Sequence, residues 1–395
     1  MNAVTQIGDE AQPGPLKVFL VAGEPSGDNL GGALAKALKA HAPYPIEIKG
    51  TGGEAMEKAG VSPLYPLSDV SVMGFADVVP ALPRIIRRAY SVIGAIEEFE
   101  PDVLVIIDSP DYTHEIAKRV RKRLPALLIV DYVAPTVWAW RSGRARAMRR
   151  YLDAVLALFP FEPDAFQRLN GPECHYVGHP LIERRELLPG PGGKRGGDRR
   201  TILLLPGSRA NEIRRHMAEL GKAASLILER HPEAEFVLPA VAAQRTLIEN
   251  ALETWRVKPR LVIGDDEKYA AFRAAHCAIA ASGTVTLELA IARVPMVVIY
   301  AIDWYLEIGR RYFLRAPSIV LANLIGGENV VPELVYRNFN AERVAQEAAA
   351  LIDDTPERSR QLALFEKVAE NLGIGGDAPS QRAARVLFEL VSSRS

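Results

Sequence analysis

With 395 residues, 48% of them hydrophobic and 24% charged, the chain is a folded protein too long for one ordinary core, and two domains are expected. Its 48 Lys and Arg are matched by 48 Asp and Glu, a balance that excludes the basic surface of a nucleic-acid binder. Two distant cysteines, Cys174 and Cys277, exclude a disulfide framework or a cysteine zinc site, and no apolar run approaches the roughly 18 to 20 residues of a membrane span.

Met1 to Pro15 is polar and acidic, lacks the basic and apolar stretches of a signal peptide, and is expected to be a flexible tail on a cytosolic chain. Apolar runs at Lys17 to Ala22, Val103 to Ile107, Ala126 to Val133 and Ala154 to Phe159 then alternate with segments of helical period, the pattern of βαβ units in a parallel sheet. The first run ends in Ala22-Gly23-Glu24-Pro25-Ser26-Gly27-Asp28, a glycine turn without G-x-G-x-x-G spacing. Its two acids suit sugar hydroxyls better than phosphate, so Glu24, Ser26, Gly27 and Asp28 are expected substrate contacts. Pro80 to Ile96 sets Leu82, Ile85, Ile86 and Ile93 beside Arg84, Arg87 and Arg88, which fits a surface resting on anionic lipid or a core-facing helix with a basic outer face.

After Val103 to Ile107 comes Asp108-Ser109-Pro110-Asp111, where two carboxylates leave a strand end together. That is the place for a general base, or for an Asx-turn or helix cap made by one of them. The next strand leads to Trp138 and Trp140, then Arg141, Arg144, Arg146, Arg149 and Arg150, which suits a wall and clamp for an anionic acceptor, or a packed aromatic corner beside a solvated basic helix. Pro189 to Asp198 is glycine-rich and charged, with no apolar residue, and is expected to be a linker, 189–199, between domains at 16–188 and 200–340.

The second series has strands near Thr201 to Leu205, Glu235 to Leu238, Leu261 to Ile263, Cys277 to Ala280 and Met296 to Tyr300. The first of these runs into Pro206-Gly207-Ser208-Arg209 at a helix start, and the fourth into Ser282-Gly283-Thr284. Glycine turns at helix N-termini favour phosphate, Arg209 can clamp it, and Glu288, a turn beyond Thr284, can accept two ribose hydroxyls. Ligands bind outside the carboxyl ends of such strands, so both turns are expected to face one crevice. Trp304 to Arg315 again interleaves aromatic residues with arginine, and Ala341 to Ile352 and Gln361 to Val391 read as helices within a terminal segment, 341–395. No D-x-D pair is present, and no metal or other cofactor is expected.

Several of these stretches occur together in one family. Ala22-Gly23-Glu24-Pro25-Ser26-Gly27-Asp28, Val72-Met73-Gly74-Phe75, Asp108-Ser109-Pro110-Asp111-Tyr112, Val137-Trp138-Ala139-Trp140-Arg141, Leu158-Phe159-Pro160-Phe161-Glu162, Val177-Gly178-His179-Pro180, Leu205-Pro206-Gly207-Ser208-Arg209, Ala281-Ser282-Gly283-Thr284 and Asn323-Leu324-Ile325 follow in this order, and the chain resembles the lipid-A-disaccharide synthases from about Lys17 to Leu390. The resemblance implies a glycosyltransferase B fold, two Rossmann-like domains facing a cleft, with the donor held mainly by the second and the end of the chain crossing back. It also implies the reaction. The 6-hydroxyl of 2,3-diacylglucosamine 1-phosphate attacks the anomeric carbon of UDP-2,3-diacylglucosamine with inversion, giving a β-1,6 disaccharide and UDP. By motif position Asp108 is the base, Arg209 and the Ser282 turn meet the diphosphate, Glu288 the ribose and Asn323 the donor, while Thr113 stands where many members have Asn. Asp111, Trp138 and Arg141 are then acceptor-side contacts. Such an enzyme works at the cytoplasmic face of the inner membrane, with a homodimer one possible assembly and no nucleic-acid partner. A UDP-sugar epimerase of the same fold and a non-enzymatic nucleotide or lipid binder are the alternatives.

Overall fold

The structure, a computed structural model, is described for residues 14–71, 75–188, 200–301 and 317–394, the side chains of 75–79 excepted. The expected tail, linker and Trp304 to Arg315 segment lie wholly or almost wholly outside the described residues. Two parallel sheets of six strands carry the fold. The first has β1 (Leu16–Ala22), β2 (Ile46–Thr51), β3 (Val103–Ile107), β4 (Leu128–Tyr132), β5 (Ala154–Ala157) and β6 (Glu173–Tyr176), in the order β2-β1-β3-β4-β5-β6. The second has β7 (Arg200–Leu205), β8 (Ala234–Ala240), β9 (Arg260–Ile263), β10 (Cys277–Ala281), β11 (Met296–Tyr300) and β12 (Glu333–Val335), in the order β12-β11-β10-β7-β8-β9.

Helices cover both faces of each sheet. Around the first run α1 (Pro25–His41), α2 (Glu54–Lys58), α3 (Phe75–Phe99), α4 (Pro110–Arg123), α5 (Gly143–Met148) and α6 (Glu162–Arg168). The second has α7 (Ala210–Arg230), α8 (Arg245–Leu252), α9 (Asp265–Ala274), α10 (Thr284–Ile291), α11 (Leu321–Gly326), α12 (Ala341–Ile352) and α13 (Pro356–Leu372), and α14 (Pro379–Ser392) ends the chain. Strands buried on both faces are apolar throughout rather than alternating. In β1, Leu20 faces a core shared with Leu34 of α1, while Phe19 and Val21 face one shared with Ile93 and Ile116. Leu203 and Leu204 split in the same way between the two cores of the second sheet.

The stretch read as helical from Gln361 to Val391 is two helices, because the chain leaves α13 through Gly373 in a left-handed conformation and restarts at Pro379. The helices α12 and α13 pack on the second sheet, whereas Ala383, Ala384 and Leu387 of α14 join the core under β1 and α1. Both sheets reverse their strand order next to their first strand, between β1 and β3 and between β7 and β10. Such switch points open a crevice at the carboxyl ends of the strands. The turns carrying Glu24, Asp108, Arg209 and Ser282 all leave those ends.

Candidate active site

At the first switch point the β1–α1 and β3–α4 turns lie against each other. A Cβ on Gly27 would stand 2.9 Å from the Ile107 carbonyl and 3.5 Å from Asp108 Cβ, so only glycine lets α1 start this close to the end of β3. Asp108 and Ser109 both adopt left-handed backbone conformations, φ 54 and 47. Such conformations cost of order 1 kcal/mol or more each and persist where neighbours hold them. Here the Asp108 N–H donates to Tyr132 O at 3.0 Å, and Thr113 Oγ1 donates to the Asp108 carbonyl at 2.7 Å and the Ser109 carbonyl at 3.1 Å. Thr113 is therefore a buried clamp on the strained turn. The half-buried Asp108 carboxylate accepts from Ser26 Oγ at 2.6 Å and from the Ser109 N–H at 2.8 Å, and Ser109 Oγ donates to Glu24 at 3.2 Å. Asp111 is exposed in the first turn of α4.

Asp28 is bound to the start of α2. Its carboxylate is buried and accepts the N–H groups of Gly53, Ala55 and Met56 at 2.7, 2.9 and 3.0 Å, capping α2. It caps α2 through these three backbone donors and also stands on the wall of a groove. A groove of about 1090 Å³ runs from Pro25 and Asp28 along α1 and α2 to Ser380 and Gln381, but takes in neither Asp108 nor Glu24.

Sequence reading gave no role to two buried carboxylates, Asp131 and Glu162. Asp131 of β4 is buried with His114 Nε2 3.1 Å from Oδ2, close enough for an ion pair but without hydrogen-bonding geometry. Burial pushes the Asp131 carboxyl up against the opposing pull of His114. Beyond it, Trp138 donates its indole N–H to Glu162 at 3.1 Å. Glu162 also accepts the N–H groups of Leu158 and Phe159, and burial nevertheless pushes it up to about 7. Trp138 stands edge-on to Phe161, which stacks on Phe159, which stacks on His179. This column is the packed aromatic corner, and burial lowers His179 to about 4. Trp140 and Arg141 are exposed instead, the guanidinium 4.4 Å above the indole.

At the second switch point a single cavity of about 540 Å³ takes in both glycine turns, with Gly207, Ser208, Arg209, Ser282, Gly283, Thr284 and Glu288 on its wall. Gly283 is the N-cap of α10 with φ 156 and open space where a Cβ would stand, which leaves the first N–H groups of the helix facing the cavity. The Ser282 hydroxyl does not cap the helix. It donates to Ile319 O at 3.0 Å. Arg209 is exposed and pairs with Glu212 at 3.0 Å, while buried His216, lowered by burial, sits 2.7 Å from Pro206 O and accepts from the Ala301 N–H at 2.9 Å, tying the turn to the end of β11. Asn323 lies away from this wall. It is buried, donates to Val331 O and Glu333, and accepts from the N–H groups of Val330 and Val331, so its amide closes the 318–333 segment rather than facing the cavity. The missed wall residue is Lys268 of α9, 2.9 Å from Glu288. The signal was a third strand-glycine-helix junction, Ile263-Gly264-Asp265.

On the surface, Leu82, Ile86 and Tyr90 are 48%, 47% and 51% exposed at successive turns of α3, beside exposed Arg84 and Arg87. Arg88 is bound to Asp69 at 2.7 Å and lies over the Tyr65 ring. Among the described residues no helix is long and apolar enough to cross a membrane, and no group of three or more His, Cys, Asp or Glu could hold a metal ion.

A family model described as lipid-A-disaccharide synthetase matches residues 18–384. The lipid-A-disaccharide synthase of Nitrobacter winogradskyi is 46% identical over 385 residues, covering 96% of this chain and 97% of that protein. That of Rhodospirillum centenum is 37% identical, covering 96% of each. Among solved structures, a UDP-GlcNAc 2-epimerase from Neisseria meningitidis bound to UDP-GlcNAc has a TM-score of 0.60 at 14% identity, over 96% of this chain and 100% of that one. The glycotransferase of kitacinnamycin has a TM-score of 0.62 at 15% identity, over 96% and 100%. At these identities the structures speak to the fold, two Rossmann-like domains of the glycosyltransferase B type.

Proposed function

The chain belongs to the lipid-A-disaccharide synthetase family, and we propose that it joins UDP-2,3-diacylglucosamine to 2,3-diacylglucosamine 1-phosphate as an inverting glycosyltransferase. The observation that carries the site assignment is the pairing of a nucleotide-sized cavity, walled by two glycine turns and Glu288, with a strained, clamped carboxylate at the other sheet's switch point. Asp108 takes the proton of the acceptor's 6-hydroxyl as that oxygen bonds to the anomeric carbon. Ser26 and the Ser109 N–H hold the carboxylate in place. The bond to the diphosphate breaks on the opposite face, and Arg209 together with the N–H groups opening α10 takes up the charge that develops there. Arg209 exchanges its Glu212 partner for phosphate in this step. Glu288 receives the ribose hydroxyls, and Glu24, Asp111, Trp138 and Arg141 belong to the acceptor side, Trp138 fixed from behind by Glu162.

Acylated substrates require a lipid surface, and the exposed Leu82, Ile86 and Tyr90 stripe with Arg84 and Arg87 supports peripheral attachment through α3. Residues 16–188 and 200–340 are read as separate units, supported by each sheet's forming within one of them. The test is to incubate purified protein with both acylated sugars and follow disaccharide by mass spectrometry and UDP by a coupled assay. Release of UDP must depend strictly on the lipid acceptor. Turnover of the donor alone, to an epimer or to free sugar, would overturn the proposal.

A further inference from the structure

Lys268 has no part in the reaction as described, yet it stands on the wall of the nucleotide cavity and faces Glu288. Glu288 Oε2 is buried and lacks a hydrogen-bond donor of proper geometry in the protein, while the Lys268 ammonium lies 2.9 Å from it. The lysine is 23% exposed, its ammonium over the rings of Tyr269 at 4.5 Å and Phe272 at 5.8 Å, so the charge is held in the cavity rather than released to solvent. A second carboxylate, Asp265, is farther away at 3.6 Å and is itself bound by Arg184 at 3.2 Å. Burial alone would lower the ammonium, but the close charge of Glu288, with Tyr269 and Asp265 adding to it, outweighs this and holds it raised.

We propose that Lys268 is a positioning residue for the donor's ribose, holding the Glu288 carboxylate in one orientation so that the sugar hydroxyls meet a preset acceptor. This rests on the reading of Glu288 as the ribose acceptor. A nucleotide entering the cavity strips water from Glu288. A lone carboxylate with no protein donor on Oε2 would then be free to turn away from the ribose hydroxyls. Paired with the ammonium through Oε2 it keeps one orientation, and its remaining lone pairs are enough for both hydroxyls.

The experiment is calorimetric titration of the full chain with UDP and with 2′-deoxy-UDP, for the native protein and for Lys268→Met, Lys268→Arg and Glu288→Ala. The native protein should prefer UDP by about tenfold or more, the range for a hydrogen bond to a charged group. Lys268→Met should reduce that preference to about threefold or less, and Lys268→Arg should keep it. Equal weakening of both nucleotides by Lys268→Met, with the preference intact, would overturn the proposal, since a lysine bonded to the diphosphate or serving only the fold acts alike on both. If the methionine variant does not fold, Lys268→Gln takes its place under the same criterion. A native preference surviving in Glu288→Ala would instead remove the ribose reading of Glu288, an outcome separate from any result at Lys268.

Discussion

Asparagine at position 108 keeps the shape of aspartate and removes its basicity. Its single oxygen can go on accepting the Ser109 N–H, 2.8 Å from Oδ1 in the native turn, while its NH₂ group meets Ser26 Oγ, 2.6 Å from Oδ2, which turns to accept. The backbone bonds to Tyr132 and Thr113 do not involve the carboxylate and survive, so the left-handed turn should too. The ground state loses roughly the difference between a charged and a neutral hydrogen bond, about 1 kcal/mol. The transition state loses the acceptor for the hydroxyl proton, a factor of about 10² to 10⁴, or roughly 3 to 5 kcal/mol of barrier. Turnover to disaccharide should fall by that factor, while UDP affinity by calorimetry stays within about twofold, because the nucleotide cavity belongs to the other sheet. A folded Asp108→Asn protein with near-native turnover refutes the assignment. Loss of turnover in Glu24→Gln instead would move the base to the first turn, where Glu24 is exposed and bonded to the Ser109 hydroxyl.

Asp28→Ala should act on stability: it orphans three N–H groups at the start of α2, costing roughly 2 to 4 kcal/mol in urea unfolding, and an unchanged midpoint would show that the cap is not needed. Arg84→Ser with Arg87→Ser should weaken binding to anionic vesicles by at most about 1 kcal/mol per charge, less at high salt, with Arg88 left alone because its charge is already paired with the Asp69 carboxylate; equal binding at all salt concentrations would place the contact elsewhere. His179 is buried neutral with its folded value lowered to about 4 from 6.5, so its contribution is fully present above about pH 6.5 and is lost as pH falls toward about 4, by at most about 3 kcal/mol; His179→Gln should flatten the stability slope in that window and leave the slope above pH 7 as it was.

Much of the fold is legible in the sequence because βα units are local. The apolar runs mark the strands covered on both faces, and β3 and β11 fall where those runs do. The strands without such a run, β2, β6 and β12, lie at three of the four sheet edges. Exposed residues such as Lys49 and Glu173 there break the apolar pattern, since an edge strand needs less burial to stay paired. The turns that carry the candidate chemistry are likewise local, each a strand end followed by glycine or an acid and a helix start.

By itself, then, the sequence determined two α/β units, the strand ends where chemistry belongs, and the residue types gathered there. Tertiary structure decided which of those residues remain open. Asp28 and Asp108 look alike in sequence, but the chain folds the start of α2 onto the first, whereas the second is half-buried and held by Ser26 and the Ser109 N–H. Asn323 is closed off by Val330, Val331 and Glu333, and Glu288 receives a cation from α9, brought to it by the third strand-glycine-helix junction. The reason is physical. A polar group's availability depends on every donor, acceptor and charge within a few ångströms of it, and in a parallel sheet those neighbours come from strands and helices far away along the chain.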